Sequence, residues 1–179
     1  MMNKKGFTLI ELLAVMVVLG VLMTMTIPNI IGITTANKTQ AYAEDAKKMV
    51  SMVEYMLRGN DAMEKPKNEG ECVIVSLEYI GMGEFQTAPY GGEYDPYESY
   101  VVMRTEKDTE DVDGGLLYNY YVQLYEQLPD GGWRGFRLLD ASGLDGDGYI
   151  DKIDESEEAP YLRARKAYTS LAKERYLMN

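Results

Sequence analysis

The first 33 residues constrain this chain more than any other stretch. Met1-Met2-Asn3-Lys4-Lys5-Gly6 is followed by Phe7-Thr8-Leu9-Ile10-Glu11, then by an apolar run from Leu12 to Ile33. Phe7 to Ile27 supplies 21 residues in which Glu11 is the only charge, and about 20 apolar residues cross a hydrocarbon core. A carboxylate in such a segment is costly and calls for a partner or a task. Lys4 and Lys5 hold the preceding residues on the cytoplasmic side, as positive flanks of apolar segments do. A secretory signal has a shorter apolar stretch followed by a small-residue cut site, and this one runs on into a further helical pattern. A plain membrane anchor fits the length but leaves Gly6-Phe7 and Glu11 without a reason.

The same residues resemble the N-terminus of type IV pilins, with their class III signal peptide and N-terminal methylation motif. The resemblance implies that a prepilin peptidase removes the leader 1–6 after Gly6 and that the new N-terminal Phe7 is methylated. It also implies that Glu11 meets the α-amine of Phe7 of a neighbouring subunit and sets the stagger between copies. A charge buried in an apolar fibre core needs an opposite partner; the alternative is a carboxylate that snorkels to the membrane surface. Pro28, 22nd from Phe7, matches the family's helix-breaking proline. Proline removes a backbone donor and clashes with the preceding turn, and Thr24, Thr26, Gly32, Thr34 and Thr35 weaken helical preference nearby. Residues 24–34 are therefore expected to extend or unwind in a fibre.

After Gly32 the sequence turns polar but keeps a helical period. Ala36, Ala43, Ala46, Met49, Val50, Val53, Met56 and Leu57 form a stripe, with Lys38, Gln40, Glu44, Lys47 and Lys48 on other faces. Gly59-Asn60 is a stop signal. One helix over 7–59 is expected, with 7–28 in the membrane or fibre core and 29–59 amphipathic. Asn37-Lys38-Thr39 also matches a glycosylation triplet, a pattern frequent by chance.

Residues 60–179 read as a head. A connector over 60–98 contains the apolar piece Cys72 to Ile80, helix or strand, and a stretch punctuated by Pro89, Gly91, Gly92 and Pro96. Its tyrosines, Tyr90, Tyr94, Tyr97 and Tyr100, are expected to pack half-buried. A sheet over 99–139 follows: Glu98–Thr105, Leu116–Glu126 and Trp133–Leu139 alternate and are joined by an acidic turn and by Pro129-Asp130-Gly131-Gly132. Leu116, Tyr118, Tyr120, Val122 and Leu124 share a face that should cover the stripe at Val50, Val53 and Leu57. One helix across one antiparallel sheet, an α+β fold, is what burial of the two apolar faces requires. It is also the type IV pilin fold that the resemblance implies, here with a C-terminal helical segment added. Cys72 is the sole cysteine, so no intramolecular disulfide closes the head as it does in many pilins; a buried thiol is expected.

Two later stretches carry chemistry. Residues 140–155 have the spacing of a calcium loop, with Asp145 third, Asp147 fifth, Gly148 sixth, Tyr149 seventh through its carbonyl, Asp151 ninth and Asp154 twelfth. The first position falls on Gly143, so Asp140 or Ser142 is expected to substitute, with Asp140 as the extra ligand. Calcium is expected there; the alternative is a solvated acidic turn. Residues 157–178 read as a helix that opens at Glu157-Glu158-Ala159-Pro160, with Tyr161, Ala164, Tyr168, Leu171 and Ala172 on one face. Arg163, Arg165, Lys166, Lys173 and Arg175 make it basic, for solvent or for an acidic neighbour.

The net charge is −11, and −13 without the leader lysines, which argues against binding a phosphate backbone. There is no histidine, no nucleophile–base pair and no phosphate loop, so no enzyme is expected. The expected function is a structural subunit of a type IV pilus, in the cytoplasmic membrane before assembly and in an extracellular fibre for adhesion or twitching motility afterwards. Its partners would be other copies, the prepilin peptidase, the assembly platform and the membrane. One alternative is a pseudopilin of a type II secretion or DNA-uptake system. Another is a membrane-tethered calcium- or ligand-binding module that never polymerises.

Overall fold

The computed structural model describes residues 8–59, 63–110, 115–153 and 164–168, apart from the side chains at 25, 26, 28, 29 and 164–168. The chain divides into two units, residues 1–37 and 38–179. Helix α1, Leu9–Gly59, supplies the described part of the first unit and opens the second. It runs unbroken through position 28, so the stretch expected to loosen in a fibre is helical in the isolated chain. The hydroxyls of Thr24, Thr34 and Thr35 fold back onto the carbonyls of Val21, Ile30 and Ile31 at 2.7, 2.8 and 3.1 Å. Their hydroxyl protons thereby find acceptors within the apolar segment itself. The helix stops at Gly59, where the stop signal placed its end.

In the second unit α1 buries Tyr42, Ala43, Ala46, Met49, Val53 and Leu57 against Val73, Val75, Val101, Met103, Val122, Leu124 and Phe136 of a sheet. The spacings of three and four place these helical residues on one face. Val50 and Met56 flank the stripe, and Ala36 stays exposed. Tyr42, which the apolar pattern omits, joins it as a fully buried residue. As expected, Val122 and Leu124 face the helix.

The sheet has six strands in the order β5-β4-β3-β2-β1-β6. They are β1 Cys72–Ser76, β2 Tyr100–Lys107, β3 Leu116–Gln127, β4 Trp133–Asp140, β5 Tyr149–Ile153 and β6 Ala164–Tyr168. All neighbours are antiparallel except β1 and β6. The three expected strands are present, each within two residues of its expected ends. The ambiguous apolar piece is strand and then helix: β1 gives way to α2, Leu77–Ile80, because Ser76 Oγ accepts the Tyr79 N–H at 3.3 Å and caps the turn. Cys72 is buried.

The C-terminal helix expected over 157–178 is corrected at 164–168. Those five residues form a strand that pairs parallel with β1. Ala164 and Tyr168 are four apart, which fits a helical face, but the stretch is equally compatible with alternation. β1 has β2 on one side only, and the backbone groups on its other side need a partner. Sheet completion prevails over local pattern there. The rest of 157–178 lies outside the described residues.

One polar fastener ties the 60–98 connector to the sheet. The Asp95 N–H donates to the Tyr125 carbonyl at 2.7 Å, and the Gln127 N–H donates to the Glu93 carbonyl at 3.1 Å. The buried Asp95 carboxylate accepts from the N–H groups of Tyr97 and Glu98, both at 2.9 Å, from Gln127 Nε2 at 2.9 Å and from Trp133 Nε1 at 3.2 Å. Burial alone would raise its pKa, but these four donors outweigh it and hold the carboxyl below its ordinary value. A carboxylate with a lowered folded pKa stabilises the fold above its unfolded value of about 4, and that contribution is lost as pH falls through the folded value. We expect Asp95→Asn to cost about 1–3 kcal/mol at pH 7, measured by denaturant melts of the full chain. The gap from the native chain should shrink as pH falls below about 4; a gap independent of pH would contradict this.

Candidate assembly site

The N-terminal end of α1 holds the first candidate site. Thr8 is its N-cap. The Thr8 N–H and hydroxyl both donate to Glu11 Oε2, at 2.8 and 2.7 Å, and the Glu11 N–H donates back to Thr8 Oγ1 at 3.3 Å. This reciprocal arrangement is a capping box. It satisfies otherwise orphaned donors and places a negative charge at the positive end of the helix dipole. Both bonds end on Oε2. Among the described residues Oε1 has no partner, so Glu11 is held in place with one oxygen still able to accept. The Thr8-x-x-Glu11 spacing is itself a cap signal in the sequence. Gly6 and Phe7, the expected cleavage and methylation positions, lie outside the described residues, as does the Pro28 side chain.

Behind Glu11 the helix is apolar all round. Leu9, Ile10, Leu12, Leu13, Val15 to Leu19, Val21 to Met23, Ile27, Ile30, Ile31 and Ile33 are all exposed, Leu9 by 83%. A surface of this size marks an interface with protein or lipid. The expected membrane span over 7–28 is nevertheless not met among the described residues, where no helix is long and apolar enough to cross a membrane.

The acidic loop consists of two capped turns followed by a strand. Asp140 caps a 3-10 turn at Ala141–Gly143 by accepting the Ser142 N–H at 2.8 Å. Asp145 caps a second, Gly146–Gly148, by accepting the Asp147 N–H at 3.0 Å. The chain then enters β5, so Tyr149 and Asp151 lie on an extended strand. Among the described residues no three carboxylates gather as metal ligands would. Asp154 lies outside them.

Sequence reasoning missed the polar centre of the head. Glu126 on β3 is fully buried. It accepts the Tyr42 hydroxyl of α1 and, at 3.0 Å, the Gly92 N–H, while Arg134 Nε of β4 approaches at 3.4 Å. The Tyr94 hydroxyl of the connector donates to Asp45 Oδ2 of α1 at 2.6 Å. Burial, reinforced by these carboxylates, pushes both phenols far above the ordinary tyrosine range, so they remain donors. Gly92 has to be glycine: a Cβ there would stand 2.3 Å from Glu126 Oε1. Around this centre the rings of Tyr42, Tyr90, Tyr94, Phe136 and Tyr149 meet at centroid distances of 5.1–6.4 Å. Tyr90 also lies under Lys38 and Arg134, at 4.7 and 4.9 Å. Among the described residues, the connector tyrosines Tyr90 and Tyr94 fasten it to the helix and sheet. The arrangement is structural, holding helix, connector and sheet as one body.

Comparison with known proteins agrees with the geometry. Residues 1–27 match the family model described as the prokaryotic N-terminal methylation motif. Over 79 residues the chain is 32% identical to the ComG operon protein 3 homolog of Bacillus licheniformis, a match covering 44% of this chain and 77% of that protein. No solved structure matches the chain. A capped, apolar N-terminal helix followed by an α+β head defines a pilin-type subunit, and this chain belongs to the type IV pilin-like family.

Thr8→Ala should remove the cap and cost about 1 kcal/mol of first-turn stability. Amide exchange at Ile10 to Leu12 in the micelle-embedded full chain should accelerate several-fold, with Thr8→Ser near native. Unchanged exchange in Thr8→Ala would contradict the cap.

Proposed function

We propose that the chain is a structural subunit of a type IV pilus, cleaved after Gly6, methylated at Phe7, inserted in the membrane through 7–27 and then polymerised into a surface fibre. The observation that carries this reading is the exposed apolar half of α1 with Glu11 held at its head. Such a surface is tolerated in lipid before assembly and among other copies afterwards. Cleavage creates a cationic α-amine at Phe7, and Glu11 has one oxygen left to receive such a group from a neighbouring subunit. In an apolar bundle an unpaired charge is strongly disfavoured, so the pairing selects one stagger. The subunit acts by assembling, without catalysis. The similarity to a ComG operon protein favours a second reading, a pseudopilin of a DNA-uptake or secretion machine, which would use the same anchor and the same pairing.

Mass spectrometry of the native protein should find a chain that begins at methyl-Phe7. An intact Met1 would exclude processing and with it assembly. Immunogold with antibody to the head should label long surface fibres; label confined to the envelope would favour the pseudopilin.

A further inference from the structure

The last strand poses a problem of reach. β5 and β6 are consecutive in the chain but lie at opposite edges of the sheet, five strand steps apart. At about 4.8 Å per step this is about 24 Å across the sheet. The registers add an offset along the strands. Ile153, which closes β5, lies opposite Trp133, and Trp133 lies opposite Gln127. Ala164, which opens β6, lies opposite Cys72, which lies opposite Arg104, which lies opposite Asn119. Asn119 and Gln127 are eight residues apart on β3, about 27 Å at the rise of a strand. The direct distance from Ile153 to Ala164 is therefore about 36 Å in a flat sheet and about 30 Å in a sheet of ordinary twist. Ten residues lie between them, with a fully extended reach of about 36–40 Å.

The direct line is also obstructed. One face of the sheet is covered by Ala46, Met49 and Val53 of α1. The other carries Tyr121 and Leu138 packed on Ile74 and Val102, and the stacked pair Tyr125 and Trp133. Both layers lie across the direct line, which already takes most of the extended reach of about ten residues. With Cys72 the sole cysteine, no disulfide ties the C-terminal segment to its own head.

We propose that Ala164–Tyr168 is exchanged between copies: in the assembled state β6 of one subunit adds to the β1 edge of a second copy, in the register it has here. The proposal rests on the reading of the chain as an assembling subunit. Exchange of an identical element reproduces the same backbone bonds and needs no new surface. It also removes the span, since the strand no longer has to return across its own sheet. Charge points to the same partner. Ala164–Tyr168 carries Arg165 and Lys166 and no acid in a chain of net charge −11, so a basic strand enters an acidic neighbour. β1 accepts it by strand addition, with main-chain bonds supplying the affinity.

Native Cys72 supplies the test, because Ala164 is its partner in the register. Full-length chain carrying Ala164→Cys is expressed in cells that process it and mildly oxidised. Detergent extract and sheared surface material are then run on non-reducing gels. A second pair, Ile74→Cys with Ala167→Cys in a Cys72→Ala background, guards against a variant that folds poorly; these positions are also opposite each other. Exchange predicts that most of the chain migrates as a ladder of dimers and higher species that collapses on reduction. Disulfide-bonded monomer alone, or no cross-link at either pair, overturns it. Electron microscopy of the sheared material reads fibre formation separately. A ladder without fibres keeps the exchange and ends the fibre reading; fibres with intrachain cross-links alone end only the exchange.

Discussion

An apolar helix that exposes its whole circumference cannot persist in water, and every other feature of this chain answers to that constraint. Burying even half of the side chains from Leu9 to Ile33 is worth tens of kcal/mol by area, far above the usual net stability of a domain. Membrane and fibre are the two environments that supply this burial. The same constraint makes Glu11 informative. Sequestering a carboxylate costs several kcal/mol unless it is paired, so its place near the start of α1 is specified rather than tolerated. The capping box with Thr8 resolves part of the cost within the subunit and leaves one oxygen for a partner.

The head meets a different demand. It has to hold one side of a long helix without a disulfide and with an excess of acid. It does so by threading polar bonds through an aromatic core. Tyr42 and Asp45, one turn apart on α1, take opposite roles: the first donates to Glu126 of the sheet, the second accepts from Tyr94 of the connector. Arg134 brings the only cation to the buried carboxylate among the described residues. Such a network is sensitive to loss of one member, because each leaves a buried partner unpaired, and it fixes the angle between helix and sheet more sharply than alkyl packing alone.

Much of this was legible in the residues. The helix, its stop at Gly59, the stripe from Ala43 to Leu57 and the three central strands follow from period and turn chemistry, which are local. What was not legible is long-range. β1 and β6 are short and apolar or mixed, and the neighbouring strand edges, β2 for β1 and β1 for β6, make them strands. Glu126 reads as one of many exposed acids until Tyr42, Gly92 and Arg134 converge on it from 84, 34 and 8 residues away. Asp95 precedes a proline and reads as a turn residue, though it gathers donors from three segments. The spacing in residues 140–154 fits a ligand template, and residues 140–153 form two capped 3-10 turns and a strand. Spacing alone does not separate these outcomes, because Asp caps a turn with the oxygens it would give a metal.

The central claim is that Glu11 sets the stagger between subunits through the amine of Phe7. A cryo-EM reconstruction of the fibre tests it most directly. The account predicts the Glu11 carboxylate within about 3 Å of the neighbouring subunit's Phe7 amine, with the Thr8 bonds retained on the other oxygen. Glu11 bonded to its own Thr8 alone, with the amine directed elsewhere, would contradict it.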